Sequence, residues 1–213
     1  MTAFLLGVLS SVVATGLVFA VGWARAGRPR WWLVGLLARL TGTGITRAYR
    51  EQLSAEPDLA QELGRARWVK VLTGRGNTLT RDTFTPVWGD GGVPVQVLLP
   101  DPAETGTWLS RREESLARTD PGFGPGLLRA QVRANLAYLT HVVQQNPAVE
   151  LRVFDLPHTF RLVATDRGAH LTFYGEHTHG RHSPCLFLQS DGTLYKAVLS
   201  LFELTWATGT QHR

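Results

Sequence analysis

Leu151–Leu188, LRVFDLPHTFRLVATDRGAHLTFYGEHTHGRHSPCLFL, decides how the chain folds. It reads as four short strands with a polar loop, Gly175–Ser183, near its end. Side chains along a strand alternate between faces. Thr159, Arg161 and Val163 therefore share one face, and His158, Phe160 and Leu162 the other. Asp166-Arg167-Gly168 supplies a tight turn that sends the chain back as Ala169–Tyr174.

The helices and strands that such a unit must pack against lie mostly ahead of it. Leu127–Gln145 is the clearest helix, with Leu128, Val132, Leu136, Leu139 and Val143 at spacings of three and four and Arg129 and Arg133 outward. Asn146-Pro147 stops it. Glu56–Arg67 reads as a helix with Leu59, Leu63 and Ala66 inward and acids in its first turn. Trp68–Thr73 (WVKVLT) is a strand, the Gly74-Arg75-Gly76-Asn77-Thr78 turn follows it, and a short helix spans Thr80–Trp88. Val93–Leu99 is the next strand. Strand, helix and strand in that order imply a right-handed crossover and parallel pairing. Trp108–Asp120, mixed in acids and bases, reads as a lid or a loose helix, and Pro121–Gly126 as a hinge. Thr193–Thr205 forms a last helix through Leu194, Val198, Leu201 and Phe202, and the tail from Ala207 frays.

Residues 1–24 carry no charged side chain, and Ala3–Trp23 are mostly Leu, Val, Ala, Phe and Gly. About 20 apolar residues suffice to cross a bilayer. No positive charge precedes the run, so a membrane anchor is expected and not a cleaved signal peptide. The arginines after it place the N-terminus outside and the remainder in the cytoplasm. Gly7, Ser11 and Thr15 form a small-residue stripe suited to helix pairing. Trp31–Leu40 reads either as an interfacial segment or as a first helix packed on the domain.

The chain has 22 Lys and Arg against 17 Asp and Glu. Residues 25–50 hold six arginines and no acid, which leaves Glu51–Arg213 with 16 against 17, a net charge of −1. The basic surplus is local and suits anionic lipid. It argues against a nucleic-acid-binding domain. The single cysteine, Cys185, excludes an internal disulfide.

Four groups of residues bear on chemistry. Gly74-Arg75, before a helix, could present backbone N–H groups to an anion, but it lacks the lysine of a P-loop and the third glycine of a dinucleotide fingerprint. Asp101 opens the loop after Val93–Leu99, beside Gly74 if the strands are parallel, where ligands of open α/β sheets sit. His170, His177, His179, His182, Glu176 and Cys185 raise the question of a metal, yet their spacing matches no common site and none is expected. The loop reads better as a polar rim facing a ligand or partner subunit. Arg161, Arg181 and Arg75 could grip phosphate or carboxylate with their planar forks, with a solvated arginine beside Asp166 as the competing reading. No Gly-x-Ser-x-Gly elbow is present for a Ser-His-Asp triad.

Thr159-Phe160-Arg161, four residues, then Asp166 resembles the His-x-Lys-x4-Asp signature of the phospholipase D superfamily. Thr159 stands for the nucleophilic histidine and Arg161 for the phosphate-holding lysine, while Phe173-Tyr174 replace the Gly-Ser step. A threonine hydroxyl without an adjacent base is a poor nucleophile. The resemblance covers roughly residues 56–206 and implies a degenerate, single-motif member, in a family where such members assemble a site from two chains.

The expected architecture is α/β, a phospholipase D-like mixed sheet flanked by helices and preceded by one transmembrane helix. Residues 1–24 are the membrane helix, 25–55 a basic juxtamembrane linker, 56–206 the domain and 207–213 a tail. The expected function is a catalytically inactive domain at the cytoplasmic membrane face. It would bind a phosphorylated or acidic ligand, or a partner, through Thr159, Arg161, Gly74, Arg75, Asp101, Arg181 and His182. One alternative is an active phosphodiesterase or nuclease, working as a dimer with a noncanonical histidine, its catalytic candidates being Arg161, Asp166, His158 and His170. A second is a structural dimerisation module. Membrane lipid is the expected partner of residues 1–40, a homodimer is an open arrangement, and neither a cofactor nor nucleic acid is expected.

Overall fold

The structure is a computed structural model. It describes residues 35–212 except 39, 90–91, 104–106, 119, 121, 157–159 and 176–179. Eight strands form one sheet: β1 (Ile45–Tyr49), β2 (Val69–Leu72), β3 (Val95–Pro100), β4 (Val149–Phe154), β5 (Phe160–Thr165), β6 (Gly168–Phe173), β7 (Cys185–Gln189) and β8 (Thr210–Gln211). Their order is β1-β7-β6-β5-β2-β3-β4-β8. β2, β3 and β4 are parallel neighbours, and every other pairing is antiparallel. From β1 onward the α-helices are α1 (Glu56–Leu63), α2 (Thr85–Trp88), α3 (Thr107–Ala117), α4 (Leu127–Gln145) and α5 (Thr193–Thr208).

The parallel strands carry apolar side chains at nearly every position because both faces are covered. On one face Val71, Val97, Leu99, Leu151 and Val163 pack with Leu59 and Leu63 of α1 and with Leu128, Val132, Leu136 and Leu139 of α4. On the other, Leu72, Leu98, Leu162, Ala164, Ala169 and Leu188 pack with Tyr195, Val198, Phe202 and Trp206 of α5. Each buried side chain of this size contributes about 1.5–3 kcal/mol. The alternation expected along β5 holds over its described residues: Val163 belongs to the α4 side and Leu162 to the α5 side.

The sheet also takes in segments outside residues 56–206. Ile45–Tyr49, expected in a linker, pairs with β7, and Thr210–Gln211, expected in a frayed tail, pairs with β4. His212 N donates to Leu151 O at 3.0 Å. The chain reaches β1 through residues 42–44, which cross the start of α5 at close quarters. Gln189 N donates to Gly44 O (2.9 Å), Thr193 N to Gly42 O (2.9 Å) and Leu194 N to Thr43 O (3.3 Å). A Cβ on Gly44 would come within 2.6 Å of Gly192 Cα, so neither glycine tolerates a side chain there.

The expectation of a single-pass membrane protein is corrected. No helix among the described residues is long and apolar enough to cross a membrane. α5, the most apolar helix, is 16 residues long and buries one face against the sheet. Residues 1–24, on which the expectation rested, lie outside the described residues. Of Trp31–Leu40, residues 35–38 and 40 are helical, with Ala38 buried and Leu36, Leu37 and Leu40 exposed.

Candidate functional site: an arginine-lined cavity

A cavity of about 400 Å³ opens at the carboxyl end of β2, where the sheet changes from parallel to antiparallel pairing. Such edges collect ligands because backbone groups and loop side chains converge there. Residues 73–78 after β2 form its floor and Arg161 of β5 its inner wall. Trp108, Arg112 and Leu116 of α3, Leu127, Leu128 and Gln131 of α4, and Gln52, Arg81, Phe123, Tyr174 and Arg181 close the sides.

The floor is held by α4. Asn135, buried in that helix, donates through Nδ2 to Arg75 O (2.8 Å) and to Asn77 Oδ1 (2.7 Å). Gly76 has φ +90, and a Cβ there would lie 3.0 Å from Leu99 Cδ2 and 3.2 Å from Asn135 Cβ, so the turn requires glycine. Gly74 N points to Tyr174 Oη at 3.4 Å. The Arg75 guanidinium lies 5.2 Å from the centre of the Phe123 ring. Burial, with Arg112 and Arg181 nearby, depresses its pKa below the usual guanidinium value.

The α3 wall is tied to α4 at both ends of the contact. Glu113 Oε1 accepts from Leu128 N at 2.7 Å and so caps the start of α4. Arg129 Nη2 donates to Ser110 Oγ at 3.0 Å, and its Nη1 to Pro102 O at 3.0 Å. Arg112 Nη1 donates to Gly175 O (3.1 Å), with its guanidinium 5.8 Å from the Tyr174 ring centre.

Arg161 is the anomalous residue. It is 6 % exposed, and its guanidinium has no hydrogen bond or ion pair among the described residues. Burial pushes its pKa below the usual value. An arginine keeps its proton regardless, so the cation sits desolvated at the back of the cavity. An uncompensated buried charge is among the costliest features a fold can carry.

Beside it on the same face of the sheet lie His170, Thr172 and Cys185, set by the register Arg161↔Thr172, Val163↔His170 and Thr172↔Cys185. His170 is buried, its ring 4.9 Å from that of Phe187, and its Nε2 has no hydrogen-bond partner among the described residues. Burial first, and the Arg161 charge next, lower its pKa to about 4, so it is a neutral imidazole at neutral pH. Further along, Tyr49 donates its hydroxyl to Asp58 Oδ2, and Arg47 Nη1 reaches the same oxygen at 2.6 Å.

Of the residues singled out from the sequence, Gly74, Arg75, Arg161 and Arg181 come together in the cavity. Asp101, His170, His182 and Asp166 are not among its lining. Asp101 Oδ1 accepts from Ala103 N (2.9 Å) in a turn, and His182 Nδ1 lies 3.5 Å from Glu51 Oε2. Asp166 sits in the β5–β6 turn, where its carboxylate accepts from Arg67 N (2.8 Å) and Arg67 Nε (2.9 Å). Those bonds hold its pKa below the usual carboxylate value despite the opposing effect of burial. Thr159, His158, Glu176, His177 and His179 lie outside the described residues. No group of three metal-ligating side chains exists among the described residues.

Sequence reasoning missed Arg81, Arg112, Trp108, Gln52 and Gln131. Trp108, Arg112 and Leu116 stand four apart, and that stripe was the available signal for a helix facing a site. The lining thus supplies five guanidinium groups, several aromatic rings and two glutamine amides. Among its described residues there is no imidazole.

No family model matches the chain, and neither does any curated protein. Among solved structures, TrmBL2, an archaeal chromatin protein described as showing a novel mode of DNA binding, is similar at TM-score 0.50 and 12% identity. The match covers 94% of this chain and 68% of that one. Nuc, a phospholipase D family member from Salmonella typhimurium, aligns at TM-score 0.47 and 11% identity over 75% of this chain and 91% of its own. NucT from Helicobacter pylori aligns at 0.47 and 11% over 78% and 98%. At 12% identity the likeness to TrmBL2 is one of fold.

Proposed function

We propose that this domain binds a small ligand bearing phosphate or carboxylate groups in the arginine-lined cavity and does not turn it over. The observation that carries the reading is Arg161: a desolvated cation without a partner among the described residues, facing a cavity that four more arginines line. An anion there would supply the charge that the fold withholds. Silence in catalysis is supported by Thr159 standing where the resembling family has its nucleophilic histidine, and by the absence of any imidazole from the described lining. His170 supports it too, since it does not line the cavity.

The test is thermal unfolding of the full chain in inorganic phosphate or sulfate at constant ionic strength. A ligand at a hundred times its Kd stabilises by about 2.7 kcal/mol, roughly 5–10 °C for a chain of this length. Arg161→Met should abolish the shift while raising the melting temperature of the ligand-free protein. No shift with either anion, or an equal shift in the variant, sinks the binding reading. Hydrolysis of a phosphodiester by the purified chain sinks the claim of silence.

A further inference from the structure

Five arginines line the cavity against one carboxylate, Asp120. Glu56 Oε1, 3.5 Å from Arg81 Nη1, offsets one of those cations from outside the lining. Among the described residues three positive charges remain in excess. A ligand with a single negative charge, such as an internal phosphodiester or a lone carboxylate, would leave two of them repelling one another in a poorly screened space. Burial is the main cause of the depressed Arg75 pKa, and the Arg112 and Arg181 charges add to it against the opposing effect of Tyr174.

The walls also carry groups that an inorganic anion could not use. Trp108, Leu116, Leu127 and Leu128 give apolar surface. Gln52 and Gln131 are among the lining residues, and their Oε1 atoms are buried and accept no hydrogen bond among the described residues. An acceptor left without a donor costs free energy that a ligand N–H or O–H would recover. A volume of about 400 Å³ suits one small organic molecule.

We infer that the cavity takes a small organic molecule with two or more phosphoryl groups joined to an apolar body that carries hydrogen-bond donors, the chemistry of a nucleoside diphosphate. This rests on the anion-binding reading above and narrows it to a charge of about −3 and an organic body.

Calorimetric titration of the full chain at one fixed ionic strength separates the two. The probes are inorganic phosphate, pyrophosphate, AMP, ADP, a dinucleoside monophosphate with one internal diester, and a 12-nucleotide single strand. Pyrophosphate should bind at least tenfold more tightly than phosphate, ADP at least tenfold more tightly than AMP, and ADP more tightly than pyrophosphate. The dinucleoside monophosphate should be the weakest organic probe. Trp108→Ala and Gln131→Leu should each cost ADP more than they cost pyrophosphate, with unchanged far-ultraviolet circular dichroism as the control for folding. Equal affinity for phosphate, pyrophosphate, AMP and ADP overturns this inference and leaves anion binding standing. ADP no tighter than pyrophosphate overturns the organic body. Tighter binding of the oligonucleotide than of ADP overturns the small-molecule class in favour of nucleic acid. No binding of any probe removes the anion reading itself.

Discussion

β5 and β6 present two unlike surfaces from one pair of strands. Toward α5 they show Leu162, Ala164, Ala169 and Leu171, all in one apolar cluster with that helix. Toward the cavity side they show the buried polar residues Arg161, Thr165, His170 and Thr172 around one apolar residue, Val163. The period of two along a strand lets a single hairpin serve both purposes without compromise. The difference teaches where stability and recognition are kept. The α5 side is apolar throughout, while the other side sets the buried Arg161 cation and the His170 imidazole beside the core that α1 and α4 cover.

That division can be broken from either side. Phe202→Ala empties the centre of the α5 side, where Phe202 has no exposed surface. It should cost about 3–5 kcal/mol in chemical denaturation and leave the ligand-induced stabilisation per mole of folded protein intact. A loss of anion binding at temperatures where the variant is folded would show that the two sides are not separate.

His170 should give the next largest effect, and it is read by pH. Its folded pKa is about 4 against 6.5 in the unfolded chain. Between those values the unfolded state binds the extra proton, so its contribution is fully present above pH 6.5 and falls away as the pH drops toward 4. The loss should total on the order of 3 kcal/mol. His170→Leu should flatten that segment of the stability curve, and an unchanged curve would mean that another group titrates there.

Asn135→Ala sharpens the comparison, since it touches the cavity floor and not its cations. The buried donor to Arg75 O and Asn77 Oδ1 disappears, at about 1–3 kcal/mol of stability. Anion affinity should weaken although no charge is lost, and full retention of affinity would show that residues 73–78 are set without it. Asp166→Asn should have the smallest effect, below about 1 kcal/mol, because its partner Arg67 is largely exposed. Anion binding should not change. If it does, the far end of β5 communicates with the cavity.

The elements legible in the sequence are those whose evidence is local. α4 declares itself through apolar residues three and four apart over 19 positions, and its bounds match the expectation. The hairpin of β5 and β6 follows from alternation and one turn, and Arg161 was picked out by the same means. β1 and β8 were missed because their pairing partners, β7 and β4, are far away in sequence and their own segments are short and polar. α3 was half-read: its charges obscured the stripe of Trp108, Arg112 and Leu116. Asp166 shows the limit of motif spacing. It follows Arg161 by five positions along a strand, which sets them roughly 16 Å apart, so only Arg161 reaches the cavity and Asp166 bonds Arg67 at the opposite end. Gln52 and Arg81 could not be assigned because only the closure of the sheet brings them near β5.

The crossing of residues 42–44 over the start of α5 has a mechanical consequence. Load arriving along the polypeptide ahead of residue 42 meets bonds to Gln189, Thr193 and Leu194 before it meets the edge of the sheet. A pull in that direction is shared between a helix and a strand, like a line made fast to a cleat ahead of the sail. β1 is thus sheltered from being peeled away one rung at a time.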